Sequence, residues 1–263
     1  MKRIYTTGCW TMMCLVWVLF LTGCRQISAY DHSPYVNYNV VEEARLSADE
    51  NSPYCDFSMD YSCLNEEGDS IAMLINQSIH REFLGDDFAS LTPALAVDSF
   101  KNTYLRNYRA EVGAMYKADK DRMEGEGEMP PWYGQTYSIV TFIEEGRSGI
   151  IGASANYFVD MGGAHPSQWS RWLNFDTITG QLLTIDDIFE PTSREEVERL
   201  LDEAVRNLQV DLYPDAKITI PDNFLLAPHS VRFLYNRYDI APRSSGSIEV
   251  ELSYEAIGHC LKR

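Results

Sequence analysis

The sequence predicts an α+β fold: a mostly antiparallel sheet with helices packed on it, in two closely associated subdomains. Three observations predict it. Two segments with helical apolar spacing come first, strand-like segments around short turns follow, and one further helix precedes more strands. The last strand is explicit, because Ile248, Val250, Leu252 and Tyr254 alternate with Glu249, Glu251 and Ser253. That period of two gives one buried and one wet face, as in an antiparallel sheet. The chain has 263 residues, 45% of them hydrophobic, enough for one or two domains with a real core.

The elements follow in order. Tyr54 to Leu64 reads as a strand, with Cys55, Phe57, Met59, Tyr61 and Cys63 on one face. After the turn "NEEGD", Ser70 is the expected cap of a helix striped by Ile71, Leu74, Ile75, Ile79 and Phe83. Thr92-Pro93 opens a longer helix, with proline at its first position. Its stripe is Val97, Phe100, Tyr104, Tyr108, Val112 and Met115. "DRMEGEGEMPPW" is acidic, contains glycine and reads as a loop. "GQTYSIVTFIEEG" and "SGIIGASANYFVD" form a hairpin, and "QWSRWLNFD" with "QLLTI" a second. Thr184 starts a helical turn, with Asp186 and Asp187 where negative charge is favoured. Ser193 and Glu196 fit a capping box. The helix behind them carries Val197, Leu200, Leu201, Ala204, Val205 and Leu208 on one face. "NFLLA" and "SVRFLY" are short strands.

The opening segment stands apart. Lys2 and Arg3 precede the apolar run "MMCLVWVLFL", Met12 to Leu21, which ends in Leu21-Thr22-Gly23-Cys24. The run suits a secretory signal and is short for a span. The tetrad resembles the bacterial lipobox, which implies cleavage before Cys24, lipid on its sulfur and a membrane-tethered chain. The expected organisation is a signal peptide over 1–23, a flexible tether over 24–50, an N-terminal subdomain over 51–148 and a C-terminal domain over 149–263. The expected location is exported and lipid-anchored to a bacterial membrane.

Charge excludes one class of partner. The chain has 22 basic and 39 acidic residues, and Lys2 and Arg3 are the only charged residues in 1–23, so the remainder carries −19. Such a surface repels nucleic acid and favours a cationic partner. Cys55 and Cys63 would lie about 26 Å apart along one strand at ~3.3 Å per residue, so they do not pair with each other. Cys260 either pairs with one of them or all three are buried thiols. No CxxC pair is present, and no metal or cofactor is expected.

No GxSxG, HExxH or GxxxxGK[ST] pattern occurs, and the five histidines are scattered. No catalytic residue is assigned, and the chain is not expected to be an enzyme. The richest stretch is Tyr157 to Phe189. Gly162 and Gly163 permit close backbone approach ahead of His165. That histidine is either exposed on a shaped loop or bonded within a tight turn. Trp169 and Trp172, three apart in a strand, point to opposite faces. Trp132 and Tyr133 form an aromatic pair on a loop, suited to carbohydrate or protein.

The segment "GGAHPSQWSRWLNFDTITGQLLTIDDIF" resembles an RsiV-like family of extracytoplasmic domains. So does "NFLLAPHSVRFLYNRYDIAPRSSGSIEVELSY", where Tyr238, Ile240, Ala241 and Pro242 match the family's closing run. The resemblance covers residues 157–255 most clearly and 55–145 more weakly. It implies binding: one family member is the outer part of an anti-sigma factor that senses lysozyme directly, and the same domain is appended to a peptidoglycan deacetylase. Neither a cytoplasmic anti-sigma segment nor a deacetylase domain is found here, so signalling and deacetylation do not carry over.

The expectation is therefore a lipid-anchored envelope protein that binds a lysozyme-like cationic protein or a peptidoglycan fragment. Its candidate binding residues are Gly162, Gly163, His165, Trp169, Trp172, Trp132, Tyr133 and Tyr238. The alternatives are a glycan-modifying enzyme using His165 with Asp160 or Asp176, and a structural lipoprotein without a ligand.

Overall fold

The computed structural model describes residues 33–123 and 130–262. The expected signal peptide, Cys24, the first part of the expected tether and residues 124–129 of the expected loop lie outside them. From Ser33 onward the chain forms one compact unit.

Six strands make the first sheet: β1 (Tyr35–Arg45), β2 (Tyr54–Leu64), β3 (Gln135–Glu145), β4 (Ile150–Asp160), β5 (Ser167–Asp176) and β6 (Leu182–Leu183), in that spatial order. Every pair is antiparallel except β2–β3, where Cys55 lies opposite Gln135 and Asp60 opposite Val140 in parallel. A parallel pair needs a long crossover. That crossover holds α1 (Ser70–Leu84) and α2 (Pro93–Met123), which pack on one face. Cys55, Phe57, Met59, Tyr61 and Cys63 all point into this core, as their alternation predicts.

Helix α1 is capped by Asp69, one residue before the expected Ser70. Its carboxylate accepts from the backbone N–H of Ile71 (2.8 Å) and Ala72 (3.0 Å). The buried face of α1 rotates accordingly, taking in Ala72, Asn76 and His80 and leaving Leu74 exposed. In α2, Leu105 and Tyr116 join the expected stripe in the core and Met115 is exposed. The helix runs on through Met123, past the expected start of the loop.

Part of the expected tether is a strand. Over β1, Val36, Tyr38, Val40 and Ala44 face inward while Asn37, Asn39, Val41 and Glu43 face water. That period of two is present in the sequence, and β2 pairs with it along its whole length.

The second sheet is β7 (Phe224–Leu226), β8 (Ser230–Tyr235) and β9 (Ile248–Ser253), all antiparallel. One of its faces packs on α4 (Arg194–Asn207) through Val197, Leu201 and Val205, with Val231, Phe233 and Tyr235 opposite. The short helices α3 (Ile185–Ile188) and α5 (Tyr254–Ile257) close this second core. Thr184 begins α3 as expected, donating to the Asp187 carboxylate from its N–H (2.8 Å) and its hydroxyl (2.7 Å). The Ser193–Glu196 box does not form. Ser193 makes no capping bond because it lies within a 3-10 turn, Pro191–Ser193.

The two cores divide near residue 183 rather than 148. Residue 148 is in the turn of the β3–β4 hairpin, whose strands pair from Thr136↔Asp160 to Glu145↔Ile151. No helix among the described residues is long and apolar enough to cross a membrane.

Candidate functional site

Strand β5 positions the site, because both of its faces and one edge are used. Trp169, Arg171, Leu173 and Phe175 share the face toward the helices. Trp172 and Asn174 share the face toward the second sheet. The expected opposition of the two tryptophans is what the strand imposes.

On the inner side, Trp172 is buried with Leu225 and Leu234 in a small cluster between the sheets. The Arg232 guanidinium lies over its ring, 5.1 Å from the centroid. Trp172 thus packs between the sheets, and its remaining edge borders a small cavity of about 320 Å³ with Arg171 and Asp222. The joint between the sheets is completed by three asparagines. Asn174, fully buried, donates to Phe224 O (2.8 Å) and accepts from Leu226 N (2.8 Å). Asn236 accepts from Ser170 N (2.8 Å) and donates to Ser170 O (2.9 Å). Asn223 donates to the same carbonyl (3.0 Å) and accepts from Trp172 N (3.0 Å). Side-chain amides therefore bond the β5 edge where no long strand covers it, leaving few buried backbone groups unpaired.

Beyond this joint, a cleft of about 580 Å³ opens between the C-terminal end of α1, β5 and the second subdomain. Its floor is aromatic. Trp169, 39% exposed, lies flat on Tyr157, with ring centroids 4.6 Å apart and planes 5° apart. Tyr157 is held below by its hydroxyl, which donates to Phe83 O (2.9 Å), and burial raises its phenol pKa. The Arg171 guanidinium gives two N–H groups to Glu82 Oε2, at 2.8 and 3.3 Å. Lys217, Asp222 and Asp239 line the remaining wall. A smaller cavity of about 350 Å³ begins on the other side of Trp169, toward Arg237 and Ser247. One half-exposed indole thus borders both hollows.

Tyr238 stands in the turn joining them. It has φ +73°, a left-handed conformation uncommon for a residue with a Cβ, and is 59% exposed. The turn is tied by Asp239, whose carboxylate accepts from Asn236 N (2.7 Å). Strain at Tyr238 accompanies the placement of Asn236 and Asp239 on the cleft wall.

The glycine loop lies elsewhere. Gly162, at φ +68°, sits against the 131–132 backbone so closely that a Cβ would be 2.1 Å from Pro131 O. The loop therefore meets the turn carrying Trp132 and Tyr133, and these borders share a third hollow of about 480 Å³ with Asp160 and Asp56. Trp132 is 53% exposed, but Tyr133 is buried, its ring edge-on to Tyr116 and its hydroxyl bonded to Asp119 (2.7 Å). Tyr133 is structural, contrary to expectation. Gly163 and His165 are exposed, and neither lines a described cleft. The pairing of His165 with Asp176 is excluded by geometry: they flank opposite ends of β5, roughly 30 Å apart at ~3.4 Å per residue. Asp176 instead receives Ile178 N (2.9 Å) and Thr179 N (2.7 Å) in the β5–β6 turn. Asp160 accepts from Gly162 N (2.9 Å) and so belongs to the glycine turn.

Among the described residues the cysteines, Cys55, Cys63 and Cys260, are free and buried, so Cys260 pairs with neither of the other two. Burial pushes the Cys55 and Cys63 thiols up to about 12, so neither supplies a nucleophile. Among the described residues, the one group of side chains spaced to hold a metal ion is Glu196, His259 and Cys260.

Sequence reasoning missed Asn223, Asn236, Arg171, Lys217, Asp222 and Asp239. A signal existed for the asparagines: Asn174 stands between Leu173 and Phe175, and Asn223 precedes "FLL". An amide embedded in an apolar strand needs a specific partner.

Residues 185–255 match the family model described as a protein of unknown function, DUF3298. The fold is shared with solved structures. A DUF3298 family member from Bacteroides fragilis superposes with a TM-score of 0.78 at 24% identity, covering 87% of this chain and 93% of its own. A DUF3298 family protein from Pseudomonas aeruginosa gives 0.57 at 16% identity, covering 88% and 96%. No curated protein matches the chain.

Proposed function

We propose that the protein is a lipid-anchored module of the bacterial cell envelope that binds cell-wall glycan in the cleft beside Trp169. The observation that carries this reading is the Trp169–Tyr157 stack. A flat, half-exposed indole backed by a buried ring is a platform for the apolar face of a sugar ring. The polar wall beside it, with Lys217, Asp222 and Asp239, suits hydroxyl, acetamido and carboxylate groups. A volume near 580 Å³ is in the range of small-ligand clefts. The resemblance to RsiV-like extracytoplasmic domains and the lipobox-like Cys24 support the envelope location.

Calorimetric titration of residues 33–263 with purified muropeptides tests it. Saturable heat, with an affinity that Trp169→Ala lowers at least ~10-fold, is the expected result. No heat at tens of micromolar protein rejects the reading.

A second reading, recognition of a lysozyme-like cationic protein, is favoured by the charge of −19 after residues 1–23. It predicts lysozyme binding that weakens steeply with salt and is indifferent to Trp169→Ala.

A further inference from the structure

The second core has a polar margin that the proposed glycan site does not use. Glu196 stands in the first turn of α4. His259 and Cys260 stand in the 3-10 turn Gly258–Cys260, near the end of the chain. The His259 Nε2 is 3.1 Å from Glu196 Oε1, and both side chains are about half-exposed. Cys260 is covered from water and lies on the core side of this pair. One ligand atom from each of the three residues falls within 4.8 Å of the others.

The turn that carries the ligands is fixed by backbone bonds on both sides. Glu190 N donates to Cys260 O (2.9 Å), Lys262 N donates to Ile188 O (2.8 Å), and Phe189 bridges Leu261. Ser193, freed from capping, lies beside the Cys260 thiol. Cys55 and Cys63 are buried in the first core and belong to no such group.

We propose that Glu196, His259 and Cys260 form a three-ligand site for a divalent transition metal of the Zn²⁺ type, with its fourth position open to solvent. The donor set is one thiolate, one imidazole and one carboxylate, each an ordinary Zn²⁺ ligand. Bonds of about 2.0–2.3 Å place tetrahedral ligands roughly 3.3–3.6 Å apart. Closing the present spread takes about an ångström, a shift of the size that side-chain rotation at the exposed Glu196 and His259 supplies. Binding exchanges the Cys260 S–H bond for an S–metal bond, and the proton leaves to solvent. His259 binds as neutral imidazole. The metal would tie the start of α4 to the chain's C-terminal turn, and so stabilise the second core.

The test uses residues 33–263, which hold both cores and omit Cys9, Cys14 and Cys24. Reduced protein is titrated with Co²⁺, followed by displacement with Zn²⁺. One equivalent of Co²⁺ with a thiolate-to-cobalt charge-transfer band is expected, together with a rise in Tm in Zn²⁺. His259→Ala and Glu196→Gln alter exposed side chains and keep the fold, which circular dichroism checks. Loss of a ligand should weaken Zn²⁺ by at least the ~10–100-fold typical of an outer-sphere partner. Cys260→Ser should remove the charge-transfer band. Absence of the band in the unaltered protein, its survival in folded Cys260→Ser, or an unchanged Zn²⁺ affinity in His259→Ala overturns the proposal.

Discussion

The indole of Trp169 rests on the phenol of Tyr157 at 4.6 Å, nearly parallel, and the two residues are directly paired across β4 and β5. The stack joins the buried face of the first sheet to the cleft, because Tyr157 is buried while Trp169 is half-exposed. Replacing Trp169 by Ala should lower muropeptide affinity at least ~10-fold, the loss of about 1.4 kcal/mol. Tm should fall by only a few degrees, since the lost Tyr157 stack is worth about 0.5–1.5 kcal/mol while the outer indole face supports no core packing. Parallel calorimetric and thermal scans distinguish this from general unfolding.

Gly162 and its neighbour separate two roles that look alike in the sequence. Gly162→Ala puts a Cβ 2.1 Å from Pro131 O in a left-handed backbone. The expected destabilisation is at least ~2 kcal/mol, measured by chemical denaturation. A Cβ on Gly163 meets nothing within 4 Å. Gly163→Ala should stay within about 0.5 kcal/mol of the unaltered protein.

Asn174 latches the second sheet to the first with both ends of its amide. Asn174→Ala orphans Phe224 O and Leu226 N and should cost ~2–4 kcal/mol. Asn174→Asp keeps the acceptor for Leu226 N but turns a carboxylate toward Phe224 O, and should be at least as damaging near neutral pH. Denaturant midpoints of both variants check this.

His80 sets a pH dependence. It is fully buried on α1, with the Tyr61 ring 5.9 Å away, and neither ring nitrogen makes a well-formed hydrogen bond. Burial lowers its pKa from 6.5 to about 4, and the Leu91 backbone alongside offsets only part of this. The unfolded chain therefore binds the proton more readily. Stability is complete above pH ~6.5 and falls as pH drops toward 4, by about 3 kcal/mol at ~1.36 kcal/mol per unit. Asp176 and Asp187, whose hydrogen bonds hold their carboxyls below the usual value, act in a separate window below pH ~4. His80→Leu should flatten the upper window with little loss at pH 7, since no well-formed hydrogen bond is broken. Unfolding curves from pH 4 to 7 test both statements.

Much of the architecture was legible because its cause is local. Alternation placed β2, β9 and both central hairpins, and apolar spacing placed α1, α2 and α4. Alternation in β1 was equally present, but Asn37, Asn39 and Glu43 on its wet face gave it the look of a polar tether. Cap positions were misread by one residue at Asp69 and wholly at Ser193. Several side chains there compete for the same backbone donors, and tertiary contacts choose among them.

The candidate site was legible only in part. Trp169 was found, because a strand forces it away from Trp172. Which tryptophan would face a cleft was not, since that depends on where the second sheet docks. Tyr133 and Trp132 are adjacent, yet one is core and the other surface, as the position of α2 dictates.

The sequence by itself determined the element types, the buried face of β2, the opposed tryptophans of β5 and the need for glycine in the 160–163 turn. Each follows from the period of a helix or strand, or from backbone sterics, and needs no distant partner. Only the tertiary structure decided the rest. The parallel β2–β3 pairing, the asparagine joint, the Trp169 cleft and the meeting of Glu196 with His259 and Cys260 all bring together residues far apart in the chain. Their proximity is set by how the two sheets and α4 bury apolar surface, and no local pattern encodes it.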